Sequence, residues 1–110
     1  MTLNITLPEK PLHLTLYAEY FAAILAGTKR IEFRRRSVRY DRMFAKRWRN
    51  IKFVNGYGNH RPWMIVDIVR FEKCADEWRI HLGLIIDSGN LHLLHHNIPK
   101  PLSSASLTLF

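Results

Sequence analysis

Leucines at 12, 14 and 16 alternate with His13 and Thr15, the pattern of a strand that buries one face. The period then changes. Tyr17, Phe21, Ile24 and Leu25 fall at i, i+4, i+7 and i+8, one apolar stripe of a helix over 17–26. Ala18, Ala22, Ala23 and Ala26 favour that helix, and Gly27 is placed to cap it, because glycine takes left-handed backbone without a Cβ penalty. Alternation resumes over 30–36. There Ile31 and Phe33 point one way, and Glu32 and Arg34 the other. A strand divided in this way lines a polar pocket or forms a solvated edge, and its own pattern leaves both open.

Residues 37–41 are expected to turn. Residues 41–50 then read as a basic amphipathic helix with Asp41 at its N-cap and Met43, Phe44 and Trp48 facing inward. Ile51–Val54 reads as a strand that runs into the turn-rich Asn55-Gly56-Tyr57-Gly58-Asn59, where Asn-Gly signals a hairpin. The longest strand is expected over 63–71. Asp67 stands in the middle of it and needs a polar pocket or a basic partner, since burying a carboxylate alone is costly. Another strand follows over 78–86, with Gly83 marking a bulge or a close approach, and a short last strand over 91–96. The pattern predicts an α+β (mainly β) fold, a small β-barrel of five to six mostly antiparallel strands with one or two helices. Nothing alternates as β-α-β-α for long enough to build a doubly wound sheet. The chain divides into an N-terminal arm (1–11), a single domain (12–96) and a C-terminal tail (97–110).

Charge changes this picture more than composition does. A length of 110 residues suits one domain, and 47% hydrophobic residues suit a globular one. No apolar run approaches a membrane span, Met-Thr-Leu-Asn does not open a secretory signal, and Cys74 is the single cysteine. A cytoplasmic location without a membrane partner is therefore expected. Residues 29–52 hold eleven bases against two acids, a net +9, whereas the remaining six bases and seven acids give −1. So concentrated a charge favours a polyanion, with nucleic acid first. Arg35, Arg36, Arg39, Arg42, Lys46, Arg47 and Arg49 form the expected phosphate-attracting rim. His92, His95 and His96 have a spacing open to metal ligands but no cysteine or acid cluster beside them, so no metal and no cofactor is expected.

Three stretches carry candidate chemistry: Lys29 with Glu32 and Arg34, then Asn55, Gly56 and Tyr57, then Asp67. Lysine and arginine attract phosphate or polarise a carbonyl. Glu32 or Asp67 can accept from an exocyclic amine or move a proton. Tyr57 can stack on a base, and Asn55 offers both a donor and an acceptor.

Gly27-x-Lys29-x-x-Glu32-x-Arg34 resembles the G-x-K-x-x-E-x-R signature of the ASCH domain family, in the PUA-like superfamily. A strand and an apolar helix precede it. A strand with Phe53-x-Asn55-Gly56-Tyr57, an apolar strand with Asp67 and a strand ending near Leu82-Gly83 follow. This order is similar to that of small bacterial and phage-encoded members, and the likeness spans about residues 12–86. The resemblance implies a PUA-like barrel with a helix-lined cleft that binds RNA, a nucleotide or a nucleoside. Lys29, Glu32, Arg34, Asn55, Gly56 and Tyr57 would be its ligand-binding residues. Some small bacterial relatives in that family are amidohydrolases acting on N4-acetylcytidine, and others have been described as ribonucleases. The alternative is thus a hydrolase with Lys29, Glu32 and Asp67 as catalytic residues. The acid matched by Asp67 is usually glutamate in the family. The amidohydrolase type has threonine where this chain has Glu32, and a glutamate there gives Lys29 an ion-pair partner, which suits a binding ammonium better than a nucleophilic amine. A further alternative is a protein-interaction domain that uses the basic helix over 41–50, which leaves the signature unexplained.

Overall fold

A computed structural model describes residues 10–95 of the chain. Residues 1–9 of the arm over 1–11, the tail over 97–110 and His96 lie outside the described residues. The elements in order are β1 (Leu12–Leu16), α1 (Ala18–Leu25), β2 (Ile31–Arg35), α2 (Val38–Phe44), β3 (Asn50–Asn55), β4 (Trp63–Lys73) and β5 (Glu77–Gly89), followed by a 3-10 turn over Leu91–Leu93. The five strands form one sheet in the order β1-β3-β4-β5-β2, curled into a half-barrel. The fold is mainly β with two α-helices, as the pattern predicts.

Consecutive strands β1 and β2 end at opposite edges of this sheet, with α1 carrying the chain between them. β1 pairs with β3 in parallel, from Leu12 opposite Ile51 to Leu16 opposite Asn55; every other pairing is antiparallel. The curl encloses the core. Leu12, Leu14 and Leu16 meet Ile51 and Phe53 of β3, Met64 and Val66 of β4, and Ile80 of β5, while α1 presses Phe21 and Ile24 onto them. Each such side chain contributes about 1.5–3 kcal/mol by leaving water. A one-residue slip of any strand would turn its set outward, so the alternation read from the chain also fixes the register.

The β4–β5 pairing shifts register between Val66 and Ile68 and again between Ile68 and Arg70. Gly83 lies at this irregularity. A Cβ on it would come within 3.2 Å of the Asp67 Cβ, which is the close approach expected of that glycine.

Several elements differ from the pattern. The second helix begins at Val38, not at 41, because the Ser37 hydroxyl caps it by accepting from the Tyr40 N–H at 3.0 Å. Asp41 lies inside that helix. Its carboxylate accepts from the Arg36 guanidinium and from the Trp78 indole at 2.7 Å. The helix stops at Phe44, and the Trp48 indole donates to the Met43 carbonyl at 2.8 Å, so the basic run over 45–49 is irregular chain and not helix. Phe44 anchors the short helix, stacked on Tyr40 and Phe71 and edge-on to Trp78. β5 runs on to Gly89, and the residues after left-handed Asn90 form a 3-10 turn instead of a sixth strand. Tyr17 leaves the buried stripe: it precedes the first turn of α1 with extended backbone and is 77% exposed. Among the described residues no helix is long and apolar enough to cross a membrane.

Candidate functional site

A cleft of ≈ 700 Å³ runs along the seam where the half-barrel fails to close, between the edges β1 and β2. It is built from the end of α1 onward. Gly27 takes φ +82°, and the Ala23 carbonyl accepts from the Thr28 N–H, the Thr28 hydroxyl and the Lys29 N–H. Those bonds fix where Lys29 leaves the helix and where β2 begins.

β2 is inverted relative to an ordinary strand. Glu32 is only 5% exposed, whereas Phe33 is 48% exposed. The reason is a set of partners that the charged pair finds inside. Glu32 Oε2 accepts from Arg34 Nε at 2.8 Å, and Lys29 Nζ lies 3.5 Å from Glu32 Oε1. Arg34 Nη1 donates to the Tyr40 hydroxyl at 2.9 Å, and its Nη2 donates to the Thr15 carbonyl on β1 at 2.8 Å. That last bond spans the seam, so one side chain clasps the two free edges of the sheet. Burial alone works against the Arg34 charge. The Glu32 carboxylate and the Tyr40 hydroxyl outweigh it and raise the guanidinium pKa above its ordinary value. No buried side-chain nitrogen or oxygen among the described residues lacks a hydrogen-bond partner.

Lys29 adjoins this wall through Glu32. Its ammonium lies 5.0 Å from the Phe33 ring centroid and 5.4 Å from that of Tyr20, so two aromatic rings flank it. Two cations thus bracket one carboxylate, leaving the wall a single net positive charge.

The opposite wall comes from the end of β3. Asn55 Nδ2 donates to the Leu16 carbonyl at 3.1 Å, while its Oδ1 and its backbone carbonyl accept from Arg61 at 3.1 and 2.8 Å. Asn55 therefore ties β1 to β3 and to the following loop, and its amide is engaged at both ends. Gly56 follows with φ +88°, and Tyr57 stands 86% exposed at the cleft mouth.

The structure thus brings Glu32 and Arg34 together with Asn55, Gly56 and Tyr57 around one opening. Lys29 reaches that wall through the Glu32 carboxylate but itself lines a separate small recess with Arg30 and Leu82. Asp67 is not part of it. Asp67 alternates with the buried Met64 and Val66, pairs across from Asn50 and sits against Gly83. Of the expected rim, Arg39 lines the cleft, with its guanidinium over the Tyr40 ring. Arg35, Arg42, Lys46, Arg47 and Arg49 are exposed. Arg36 is not a free rim residue: it holds both Asp41 oxygens at 2.8 and 3.0 Å and donates to the Cys74 and Ala75 carbonyls. His92 and His95 are exposed, and no group of three or more His, Cys, Asp or Glu among the described residues could hold a metal ion.

No family model, curated protein or solved structure matches the chain. The chemistry of the cleft rests on its own residues. Reading the signature as a strand missed Tyr17, Tyr20, Phe33, Tyr40 and Thr15, which also line the opening or reach into its ion pairs. The available signal was the phase of Phe33. Once Glu32 and Arg34 face inward, their strand neighbour has to face out. An opening with a paired carboxylate, guanidinium groups and several aromatic faces can hold a planar polar ring edge-on to the charges and face-on to a tyrosine.

Proposed function

We propose that the chain is an ASCH-type module that binds RNA by holding one nucleobase in the seam cleft. The observation that carries this reading is Glu32, a buried carboxylate bracketed by Lys29 and Arg34 in a wall that faces an open, aromatic-rimmed cleft. Glu32 can accept from an exocyclic amine and Lys29 can donate to a ring carbonyl. An edge that offers an amine beside a carbonyl, as cytosine and guanine do, fits that pair. Tyr57 supplies the stacking face, and the exposed arginines supply attraction for the phosphates on either side. The Lys29–Glu32 pair, and Asp67 standing outside the cleft, favour recognition over hydrolysis. An RNA ligand and a single unpaired cysteine suit the reducing cytoplasm.

The test is a titration with the four ribonucleoside monophosphates and with short single-stranded RNA, repeated with Lys29→Ala and Tyr57→Ala. Saturable binding is expected, weakened about tenfold by Tyr57→Ala, which is what one stacked base contributes. No binding at low ionic strength, or RNA affinity untouched by both substitutions, overturns the reading. Turnover of N4-acetylcytidine or cleavage of the RNA that disappears with Lys29→Ala would replace it with the hydrolase.

A further inference from the structure

The seam cleft does not end at Tyr57. A second trough of ≈ 570 Å³ continues from it and shares His13, Thr15, Gly56 and Tyr57 with it. The four shared residues make one continuous track across the edge of β1, with Tyr57 standing where the two lobes meet.

The second lobe is built for an anion. Lys52 and Trp63 face each other from β3 and β4, and the Lys52 ammonium lies 4.9 Å from the indole centroid. That indole also packs against Gly89, where any Cβ would clash with the ring. Trp63, held against β5, is therefore a platform beside which Lys52 stands on the wall of the trough. No acidic residue lines this lobe among the described residues. In the first lobe the one lining carboxylate, Glu32, is already paired twice.

The loop between the lobes is held in an unusual shape. Gly56, Gly58 and His60 have φ of +88°, +100° and +59°, three left-handed residues within five. Glycine adopts that conformation freely and histidine does not. The loop keeps it because Arg61 bonds Asn55 twice, the Asn55 N–H donates to the Pro62 carbonyl, and Asn90 Nδ2 donates to the Arg61 carbonyl. Its effect is to set His60 on the wall of the same lobe as Lys52.

We infer that the two lobes form one track for consecutive nucleotides of single-stranded RNA, in which Lys52 and His60 take the phosphate that leads away from the base in the seam cleft. This rests on the proposed reading of that cleft. It adds the path of the strand, placing the second nucleotide on the side of the 56–62 loop.

The experiment compares cytidine with tetracytidylate at low ionic strength, for the wild type, Lys52→Ala and His60→Gly. His60→Gly removes the imidazole and keeps the left-handed backbone, which separates the side chain from the loop shape. The tetramer is expected to bind at least about tenfold more tightly than the nucleoside, with a salt dependence that the phosphate-free nucleoside lacks. Each substitution is expected to remove most of that gain and to leave nucleoside affinity within about twofold. A tetramer no tighter than the nucleoside overturns the inference and leaves the cleft reading standing. So does a gain that survives both substitutions. If neither ligand binds the wild type, the cleft reading and the inference fall together.

Discussion

Arg34 ties the two edges of the sheet and the second helix to one guanidinium. It neutralises Glu32, bonds Tyr40 and clasps β1 through the Thr15 carbonyl. Lysine at this position keeps the charge but lacks the fork, so Arg34→Lys should lose at least two of the three bonds and about 2 kcal/mol, read by urea denaturation. Glu32→Gln should also destabilise, by about 2–3 kcal/mol. Removing one partner of a fully buried pair costs more, but the cleft lets water reach Lys29 and Arg34. The spacing of these residues was legible in the chain. Their direction was not, because Thr15 and Tyr40, the partners that reward an inward guanidinium, lie outside the strand. Asn55 was legible as a cleft residue. Its amide serves Leu16 and Arg61, so Asn55→Ala should loosen the 56–62 loop, seen as faster amide exchange there, before it changes any interaction with a ligand.

Among the elements, α2 departs furthest from its sequence pattern. A run of bases with inward aromatics promised a helix over 41–50, but local caps decided where it sits. The Ser37 hydroxyl starts it early, and Ser37→Ala should cost about 1 kcal/mol. Asp41 is held by Arg36 and by the Trp78 indole, which together lower its pKa from 3.8 to about 2. The Asp41 contribution is therefore complete above about 3.8 and is lost as pH falls through about 2. Glu72, held below its ordinary value mainly by the hydrogen bond with His81, acts in the same direction. Melting temperature should drop over that range, and the drop should be shallower in Asp41→Asn. β5 shows the complementary failure. Its pattern fades after Ile86 because residues 84–88 are exposed, yet the pairing of Asp87, Ser88 and Gly89 with β4 continues the ladder. Backbone pairing of that kind leaves no mark in side-chain type.

For the molecule as a whole, mainly β architecture was legible from alternation, and the sheet order was not. The parallel β1–β3 pairing joins residues 39 apart, and no local signal announces it. The charge concentration makes a prediction at this scale. If single-stranded RNA is the ligand, each phosphate left without its cation should reduce the salt slope by about 0.7. Arg39→Ala and Arg47→Ala should do so with little change in stability. Arg36→Ala should do the reverse, since its guanidinium is occupied by Asp41 and two carbonyls.

The separation of β1 and β2 to opposite edges also sets an order of events during synthesis. β2 carries the signature, but its one partner in the sheet among the described residues is β5, from Ile31 opposite His81 to Arg35 opposite Glu77. At roughly 5–20 residues per second, a ribosome needs about 2–9 s to add the intervening chain. Through that interval Glu32 and Arg34 remain in water with nothing to turn them inward. The clasp onto Thr15 closes only when the last strand has arrived. A nascent chain that stops short of Glu77 would display the whole signature and possess no cleft, so whatever ligand the seam selects, only a finished sheet can select it.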